Sequence, residues 1–298
     1  MNDYEVDHMV RGETFPVFQP WKEGESVLLA KNTWPEIKQR IERGLETVLI
    51  PLGSTEQHGP ILPLDNDIFN AVQICIRAAM KSEKALVAPP LCYGVSGHHM
   101  DFPGTISITP RTFIECLKQI AISLHKHGIK NVLFVTCHGG NLTAMKTAVW
   151  ELRQEYPNLL CAAIHPYVFS ASYMDKVRES EPGGLGSDRV AHTCETETSV
   201  ALYLRPEEVR KQHIIKEISP LAKGKYTKSD PLIPGVSIYF GLRTSEVSAT
   251  GVMGDPTKAT AEKGEKIVEH IVNGLVDLID SLSEIRSKIF KRGPNLSV

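Results

Sequence analysis

Short apolar runs alternate with longer amphipathic segments from about residue 46 onward. Four of these runs are typical of buried strands because they are brief and almost entirely apolar: "ETVLIPLG", "KALVAPPL", "KNVLFVTC" and "NLLCAAIH". The segments between them place apolar residues at helical spacing, as in "DIFNAVQICIRAAMKSEK" and "LTAMKTAVWELRQEY". Strands that alternate with helices predict an α/β fold with a mainly parallel sheet that helices cover on both faces.

Two further helices are predicted from residues that begin and end helices. Thr109 at an N-cap, Pro110 at the first helical position and Gly128 at a C-cap predict a helix between them. The segment 192–204 predicts another helix, which ends near Pro206.

The whole-chain composition narrows the class of protein. The 298 residues have a 42% hydrophobic content, which is enough for a substantial core, and they show no internal repeat or shift in composition. We therefore expect one domain over residues 33–298, after an irregular N-terminal arm formed by residues 1–32. The segment 223–234 predicts a long surface loop within that domain.

Charge and cysteine usage exclude several partners. The 33 basic and 35 acidic residues leave a formal charge of −2, which gives no reason to expect a nucleic-acid partner. No apolar stretch could span a bilayer and the N-terminus is too polar for a signal peptide, so we expect a cytoplasmic protein without a membrane partner. The six cysteines are scattered without a C-x-x-C pair, which predicts neither disulfides nor a thiolate zinc site.

Polar motifs follow three of the predicted strands. They read "GSTEQHG", "YGVSGHHMDFPGT" and "HGGN". Because ligands collect at the carboxyl ends of parallel strands, we expect all three motifs at one edge of the sheet. The motif "HGGN" also resembles an esterase oxyanion loop, but the chain has no G-x-S-x-G elbow and no glycine-rich nucleotide motif.

Four residues of these motifs are candidate metal ligands. Glu56 and His58 are two apart, so that both side chains leave the same face of an extended segment. Asp67 lies at the start of the next predicted helix, and His138 follows another strand, with Asn141 as a plausible N-cap behind it. Two carboxylates and two imidazoles are typical of a divalent-metal site.

A fifth candidate ligand lies in the motif "AHTCETETS". On the predicted helix, His192 and Glu195 share a face, whereas Glu197 is rotated by roughly 140° from His192. Glu195 is therefore the better candidate. Three carboxylates and two imidazoles exceed the needs of one tetrahedral zinc, which predicts two divalent ions that share a bridging carboxylate.

Other polar residues near these motifs have less specific interpretations. Asp65 reads as a solvated turn residue. His98 and His99 could line a pocket or belong to a polar loop, and Glu197 could support its helix behind the ligands.

Five ordered motifs resemble those of the creatininase (creatinine amidohydrolase) family: "PLGSTEQHGPILPLDND", "FPGTISI", "CHGGN", "HTCETETS" and "GVMGDPTKATAEKG". The resemblance covers roughly residues 33–285. It implies a three-layer α/β/α fold, a two-metal hydrolase site and often a homohexamer. By motif position, Glu56 and His138 would hold one ion, His58 would hold the other, and Asp67 would bridge them.

One position departs from creatininase proper. Creatininase has a glutamate two residues after the metal histidine, where this chain has Gly140. Relatives with the "HGGN" form have a glutamate in the later motif instead, which here is taken as Glu195. His192 and Glu195 are accordingly the expected catalytic residues, with His192 as the group that protonates the leaving atom.

The resemblance implies a hydrolase that uses metal-activated water to cleave the C–N bond of a small cyclic amide or a related carbonyl compound. The expected ions are zinc, with manganese or iron as alternatives. Other family activities remain open: 3-dehydro-scyllo-inosose hydrolysis, deformylation of a formylamino-pyrimidine, shortening of a peptide precursor, or binding without catalysis. Creatininase packs its substrate against tryptophans, and the matching positions here are Tyr167 and Asp188. Substrate contacts by these two residues and by Arg189, His98 and His99 also remain open.

Overall fold

The computed structural model describes residues 26–179, 190–222 and 240–290. Four parallel strands form its sheet: β1 (Thr47–Leu52), β2 (Ala85–Val87), β3 (Asn131–Thr136) and β4 (Leu160–Ile164). Strand β1 lies between β2 and β3, and β4 pairs with the other side of β3. The parallel sheet predicted from the alternating pattern is confirmed.

Seven α-helices are present in the described parts of the chain. They are α1 (Trp34–Glu42), α2 (Asn66–Ser82), α3 (Pro110–Lys126), α4 (Leu142–Glu155), α5 (Ala171–Val177), α6 (Glu195–Leu204) and α7 (Ala261–Phe290). Helix α3 begins as predicted, because the Thr109 hydroxyl accepts a hydrogen bond from the Thr112 N–H at 3.2 Å.

The core divides into two layers because alternate residues of each strand point to opposite faces of the sheet. Leu133 and Val135 pack with helices α2 and α7 on one face. Val132 and Phe134 pack with α3 and α4 on the other face. The result is the expected three-layer α/β/α arrangement.

Residues 27 and 28 extend the sheet beside β2. The Val87 N–H donates to the Val27 carbonyl at 2.8 Å, and Leu28 forms a parallel bridge with Val87. The preceding part of the predicted arm, the loop at 223–234, Asp188 and Arg189 lie outside the described residues. The proposed domain boundary therefore stays a prediction. Within the described ranges, no helix is both long and apolar enough to cross a membrane.

The strand order creates a crevice between β1 and β3. The chain runs from β1 to β2 on one side and later returns to place β3 on the other side of β1. The connections after β1 and β3 therefore diverge, which opens a space beyond their carboxyl ends. Glu56 and His58 follow β1, and His138 follows β3, so that these residues lie at this crevice.

Candidate metal centre

The crevice brings together four of the five predicted ligands. Glu56, His58 and His138 follow strand ends, and Asp67 lies in the first turn of α2. All four are 3% exposed or less. Since buried ionisable groups are costly unless they are paired, their grouping in one place indicates a functional site.

One half of the cluster is formed by His138 and two carboxylates. The Nε2 atom of His138 lies 3.0 Å from the Val95 carbonyl, and a carbonyl only accepts, so this nitrogen carries the hydrogen. In the neutral imidazole, the Nδ1 lone pair then faces Glu56 Oε2 at 3.0 Å and Asp67 Oδ2 at 3.4 Å. Three atoms with lone pairs therefore converge, which a shared proton or a cation would stabilise.

The other half is built in the same way around His58. Its Nδ1 lies 3.2 Å from the Glu56 carbonyl and so carries the hydrogen, which leaves Nε2 to face Asp67 Oδ1 at 3.3 Å. His58 Nε2 and Asp67 Oδ2 have no hydrogen-bond partner although both are buried. The two oxygens of Asp67 thus face two different imidazoles. Ligand atoms of His58, His192 and Glu197 also lie within 4.8 Å of one another.

When no cation is bound, the residues of the cluster shift one another's pKa values. Burial opposes a charged imidazole, but the carboxylates of Asp67, Glu197 and Glu56 together outweigh it and raise the pKa of His58 to about 9. Burial likewise opposes the charged form of His138, yet Glu56 and Asp67 raise its pKa well above the usual range. Burial raises the pKa of Glu197 to about 8. The carboxylates therefore draw positive charge into the places where a metal ion would lie.

The prediction for Glu195 differs from the structure. Helix α6 begins only at Glu195, and His192 precedes it in a strand-like segment that pairs with Met253. Thr193 between them has a left-handed φ of 54°, so helical spacing does not relate His192 to Glu195. The carboxylate of Glu195 instead binds Lys263 Nζ at 2.7 Å and the Glu179 N–H at 3.1 Å.

Glu197 occupies the place expected for Glu195. It is 6% exposed, its Oε2 accepts the Thr193 N–H at 2.7 Å, and it belongs to the group formed with His58 and His192. The left-handed turn at Thr193 rotates the first turn of α6 so that Glu197 faces the crevice. This second carboxylate of the motif is the one that the structure brings to the cluster.

His192, the predicted acid/base residue, does lie at the cluster. Its Nδ1 is 3.9 Å from Glu56 Oε1, and its ring lies 4.4 Å from that of His58. Its Nε2 is 2.7 Å from the Gln57 carbonyl. Burial and the nearby His58 lower the pKa of His192 to about 3, so that the imidazole is neutral.

The motif "SGHHMDFPGT" contributes more to the site than its sequence indicated. His99 is buried with Nε2 3.5 Å from Glu56 Oε1, and the Ser96 hydroxyl donates to Glu56 Oε2. His98 is half-buried and its ring stacks on that of His138 at 5.7 Å. A side chain at Gly140 would collide with both the His138 and His98 rings, which explains the glycine at this position.

Asn141 occupies the predicted N-cap position of α4, but its side chain holds the site loops together. Its side chain accepts the Val95 N–H at 2.9 Å and donates to the Gly53 carbonyl at 3.0 Å and the Thr136 hydroxyl at 3.1 Å. The side chain makes no cap bond to α4. These contacts join the connections that follow β1, β2 and β3.

Asp65 lies in a turn with its side chain 38% exposed, as the sequence suggested, but it also has an ion-pair partner. Its carboxylate accepts from Arg205 at 2.7 Å, and the same guanidinium contacts Glu208 at 3.0 Å and Asn66 at 3.3 Å. Arg205 is only 2% exposed and follows the end of α6. This contact ties the start of α2, which carries Asp67, to the end of the helix that carries Glu197.

Tyr167 does not offer its ring to solvent. It is 1% exposed and belongs to the core on the α2 and α7 side of the sheet. A substrate that reached this ring would therefore need the surrounding core to move.

Comparisons with known proteins agree with the fold and with a hydrolase. The family model described as "Creatininase: Creatinine amidohydrolase" matches residues 30–279. A mycofactocin precursor peptide peptidase of Mycolicibacterium smegmatis is 37% identical over 238 residues, which cover 78% of this chain and 83% of that protein. A creatinine amidohydrolase of Pseudomonas putida is 28% identical over 86% of this chain and 96% of its own length.

A solved structure gives the same result. The crystal structure of creatinine amidohydrolase superposes with a TM-score of 0.71 at 25% identity, and the match covers 87% of this chain and 98% of that one. A manganese form of creatininase matches with a TM-score of 0.70. The chain therefore belongs to the creatininase family of metal-dependent hydrolases and is an amidohydrolase-type enzyme.

Proposed function

We propose that this enzyme uses two divalent metal ions to hydrolyse an amide bond of a peptide. The observation that carries the proposal is the position of Asp67, whose two carboxylate oxygens face the imidazole nitrogens of His58 and His138 that do not donate to a backbone carbonyl. One carboxylate between two imidazoles is the arrangement that a bridged pair of ions requires.

The residues present fit two ligand sets. The first set comprises Glu56, His138 and one oxygen of Asp67, and the second comprises His58, Glu197 and the other oxygen of Asp67. The buried, unpartnered atoms His58 Nε2 and Asp67 Oδ2 support a cation in each set. Nitrogen and oxygen ligands suit zinc, manganese and iron. When bound, such ions polarise a carbonyl oxygen and lower the pKa of a bound water toward neutrality.

His192 is the proposed proton carrier. Its Nε2–H donates to the Gln57 carbonyl, which leaves the Nδ1 lone pair directed at the cluster. This nitrogen accepts the proton released as water adds to the carbonyl carbon. It then returns the proton to the leaving nitrogen as the C–N bond breaks, which yields a carboxylic acid and an amine.

The proposed substrate class follows from the relatives. Proteins named mycofactocin precursor peptide peptidase are 35% to 37% identical to this chain, whereas the creatinine amidohydrolase and a 3-dehydro-scyllo-inosose hydrolase of Thermotoga maritima are each 28% identical. The buried ring of Tyr167 is also poorly placed to pack against a small planar substrate. A peptide amide is therefore the first choice, and the small cyclic amide expected from the sequence is the second.

Two measurements on purified protein test this proposal. Elemental analysis after zinc or manganese loading is expected to give two ions per chain, and a panel of short linear peptides is expected to be cleaved. The same preparation would be assayed on creatinine and other lactams, on formamides and on the inosose. Fewer than two ions would contradict the bridged pair. Two ions with cleavage only outside the peptide set would refute the substrate class, and no cleavage at all would favour a binding module.

The homo-oligomer implied by the family resemblance stays a prediction. Sedimentation of the same preparation would measure it directly.

A further inference from the structure

Gln57 lies between the ligands Glu56 and His58, and its side chain is buried where four segments of the chain meet. Its Oε1 accepts the Gly59 N–H at 2.9 Å, and its Nε2 lies 3.2 Å from the Gly251 carbonyl. An N–H group only donates and a carbonyl only accepts, so these two contacts fix which end of the amide carries hydrogens. The orientation of the Gln57 amide is thereby determined.

The same amide decides where the hydrogen of His99 lies. Gln57 Nε2 is 2.9 Å from His99 Nδ1, and because the amide nitrogen must donate, Nδ1 must accept. The hydrogen of a neutral His99 then lies on Nε2, which faces Glu56 Oε1 at 3.5 Å. The Thr244 hydroxyl is 2.8 Å from the same Nδ1 and shares its single lone pair with the Gln57 amide. The His99 nitrogen that faces Glu56 therefore carries a hydrogen and offers no lone pair to a metal ion, although ligand atoms of Glu56, His99 and His192 lie within 4.8 Å of one another.

The main-chain carbonyl of Gln57 determines which nitrogen of His192 carries the hydrogen. The Gln57 carbonyl is 2.7 Å from His192 Nε2, which must therefore carry a hydrogen. Gln57 Nε2 is also 2.9 Å from this nitrogen, but two donors form no hydrogen bond. The two hydrogens of the Gln57 amide are therefore donated to His99 Nδ1 and to the Gly251 carbonyl. Each donor in this group of contacts has one acceptor.

The chain makes room for this arrangement at Gly251. This residue has a φ of 84°, and a Cβ atom there would collide with Gln57 Oε1. A glycine is therefore required for the 248–254 segment to approach the amide closely enough to accept its hydrogen. Gln57 N–H also donates to the Thr105 hydroxyl at 3.1 Å, which fixes the backbone at the centre of the contacts.

We propose that Gln57 is a positioning residue that sets the proton positions of both His99 and His192. It keeps His99 as the donor that orients the carboxylate of Glu56, and it keeps the Nδ1 lone pair of His192 free on the side of the metal cluster. The proposal rests on the proposed function, because the cluster is taken as the metal site. Partners behind metal ligands typically change metal affinity or activity by 10–100-fold, and we expect a loss in this range when the Gln57 amide is replaced.

Neutron diffraction from zinc-loaded crystals grown in D₂O tests the proton positions directly. In the wild type we expect deuterium on Nε2 of both His99 and His192. Gln57→Glu replaces the donor by an acceptor of the same shape, so we expect deuterium to appear on Nδ1 of His99. Deuterium on Nδ1 of His99 in the wild type, or an unchanged His99 in Gln57→Glu, would overturn the proposal.

Metal competition supplies a second readout that does not depend on a substrate. Zinc affinity is expected to fall by 10–100-fold in both Gln57→Glu and Gln57→Met, and to stay unchanged in Gln119→Glu. Gln119 provides the matched control because its amide donates to Glu115 on the exposed surface of α3. On a cleaved substrate, kcat should fall while KM stays constant if Gln57 acts through the two histidines that it contacts. Unaltered zinc affinity in both Gln57 variants would overturn the proposal.

The two proposals fail in distinguishable ways. If the wild type binds no divalent ion but crystals of the metal-free protein show the expected deuterium positions, the proposed function is wrong and the role of Gln57 in setting protons stands. If the wild type binds two ions and cleaves amides while the Gln57 variants keep wild-type zinc affinity, the role of Gln57 is wrong and the function stands.

Discussion

The two sides of the candidate metal centre are held in place by different means. On the sheet side, Glu56, His58 and His138 follow β1 and β3, two strands paired along their length. Asn141 ties together the connections that carry them. On the helix side, His192 and Glu197 flank a left-handed residue, Thr193, at the start of α6.

This difference indicates where each side can be disturbed. The sheet side is fixed mainly by backbone pairing, which a single side-chain change leaves intact. The helix side depends on a few side-chain contacts, such as the bond from the Thr193 N–H to Glu197. Asp67 and the Arg205 contact join the two sides. A substitution of Asp67, which contacts both sides, should therefore reduce metal binding and activity more than a substitution on either side.

The largest effect is expected for Asp67→Asn. The amide cannot bridge two cations, so we expect both ions to be lost and activity to fall by more than about 100-fold, beyond the range of groups that act behind ligands. Elemental analysis and kcat/KM measure the two outcomes. Asp280→Asn, which weakens only an exposed ion pair with Lys84, is the matched control and should retain both ions. If Asp67→Asn kept two ions, Asp67 would not join the sides.

The next effect separates the two glutamates of α6. Glu197→Gln should reduce the metal content from two ions to one and lower activity by about 100-fold, a loss comparable to that of one key electrostatic group. Glu195→Gln should keep both ions and lose about 1–3 kcal/mol of stability, because it weakens the contacts to Lys263 and Glu179. If Glu195→Gln lost an ion and Glu197→Gln kept both, Glu195 would be the ligand, as the sequence predicted.

A smaller effect is expected from pH in metal-free protein, where His58 and Glu197 face each other across the site. The folded-state pKa of His58, about 9, lies above its ordinary value of 6.5. Protonated His58 therefore contributes to the free energy of unfolding fully below pH 6.5, and this contribution is lost as the pH rises through about 9. The pKa of Glu197, about 8, acts in the same direction, because its protonated form is favoured in the folded state.

We therefore expect the metal-free protein to lose about 2 kcal/mol of stability between roughly pH 7 and 9, measured by urea unfolding. The loss should be smaller in metal-free Glu197→Gln. A stability that rises over this interval in the metal-free wild type would show that the two sides do not interact as described.

The smallest effect is expected at Thr193. A left-handed conformation is costly for a β-branched residue, and the buried Thr193 hydroxyl has no hydrogen-bond partner. Thr193→Gly should raise the free energy of unfolding by about 1 kcal/mol. Thr198→Gly, inside α6, should lower it by about 1 kcal/mol. Destabilisation by Thr193→Gly would mean that the helix side is not strained at this residue.

The sequence allowed the sheet side and His192 of the helix side to be predicted, but not Glu197. Strand ends are recognisable from short apolar runs, and parallel strands bring their carboxyl ends together. Glu56 and His138 could therefore be placed at one edge of the sheet from the sequence alone. The glutamate of the helix side depended on where α6 begins. Helical spacing counted from His192 selected Glu195, whereas the helix starts three residues later, after the left-handed Thr193.

Long-range partners also could not be predicted. Gln57 meets the Gly251 carbonyl across 194 residues of sequence, and Arg205 meets Asp65 across 140. Nothing local to these residues distinguishes them from solvated polar side chains. The tight spacing of "EQH" was a signal for Glu56 and His58, but it gave no indication of what the glutamine between them contacts.

The buried guanidinium of Arg205 has a practical consequence. It fastens the beginning of α2 to the end of α6, two helices that each bring a carboxylate to the cluster. Loss of catalytic power on heating should consequently coincide with cooperative melting of the whole molecule. The activity that remains after a heat treatment could then measure the fraction of molecules that are still folded.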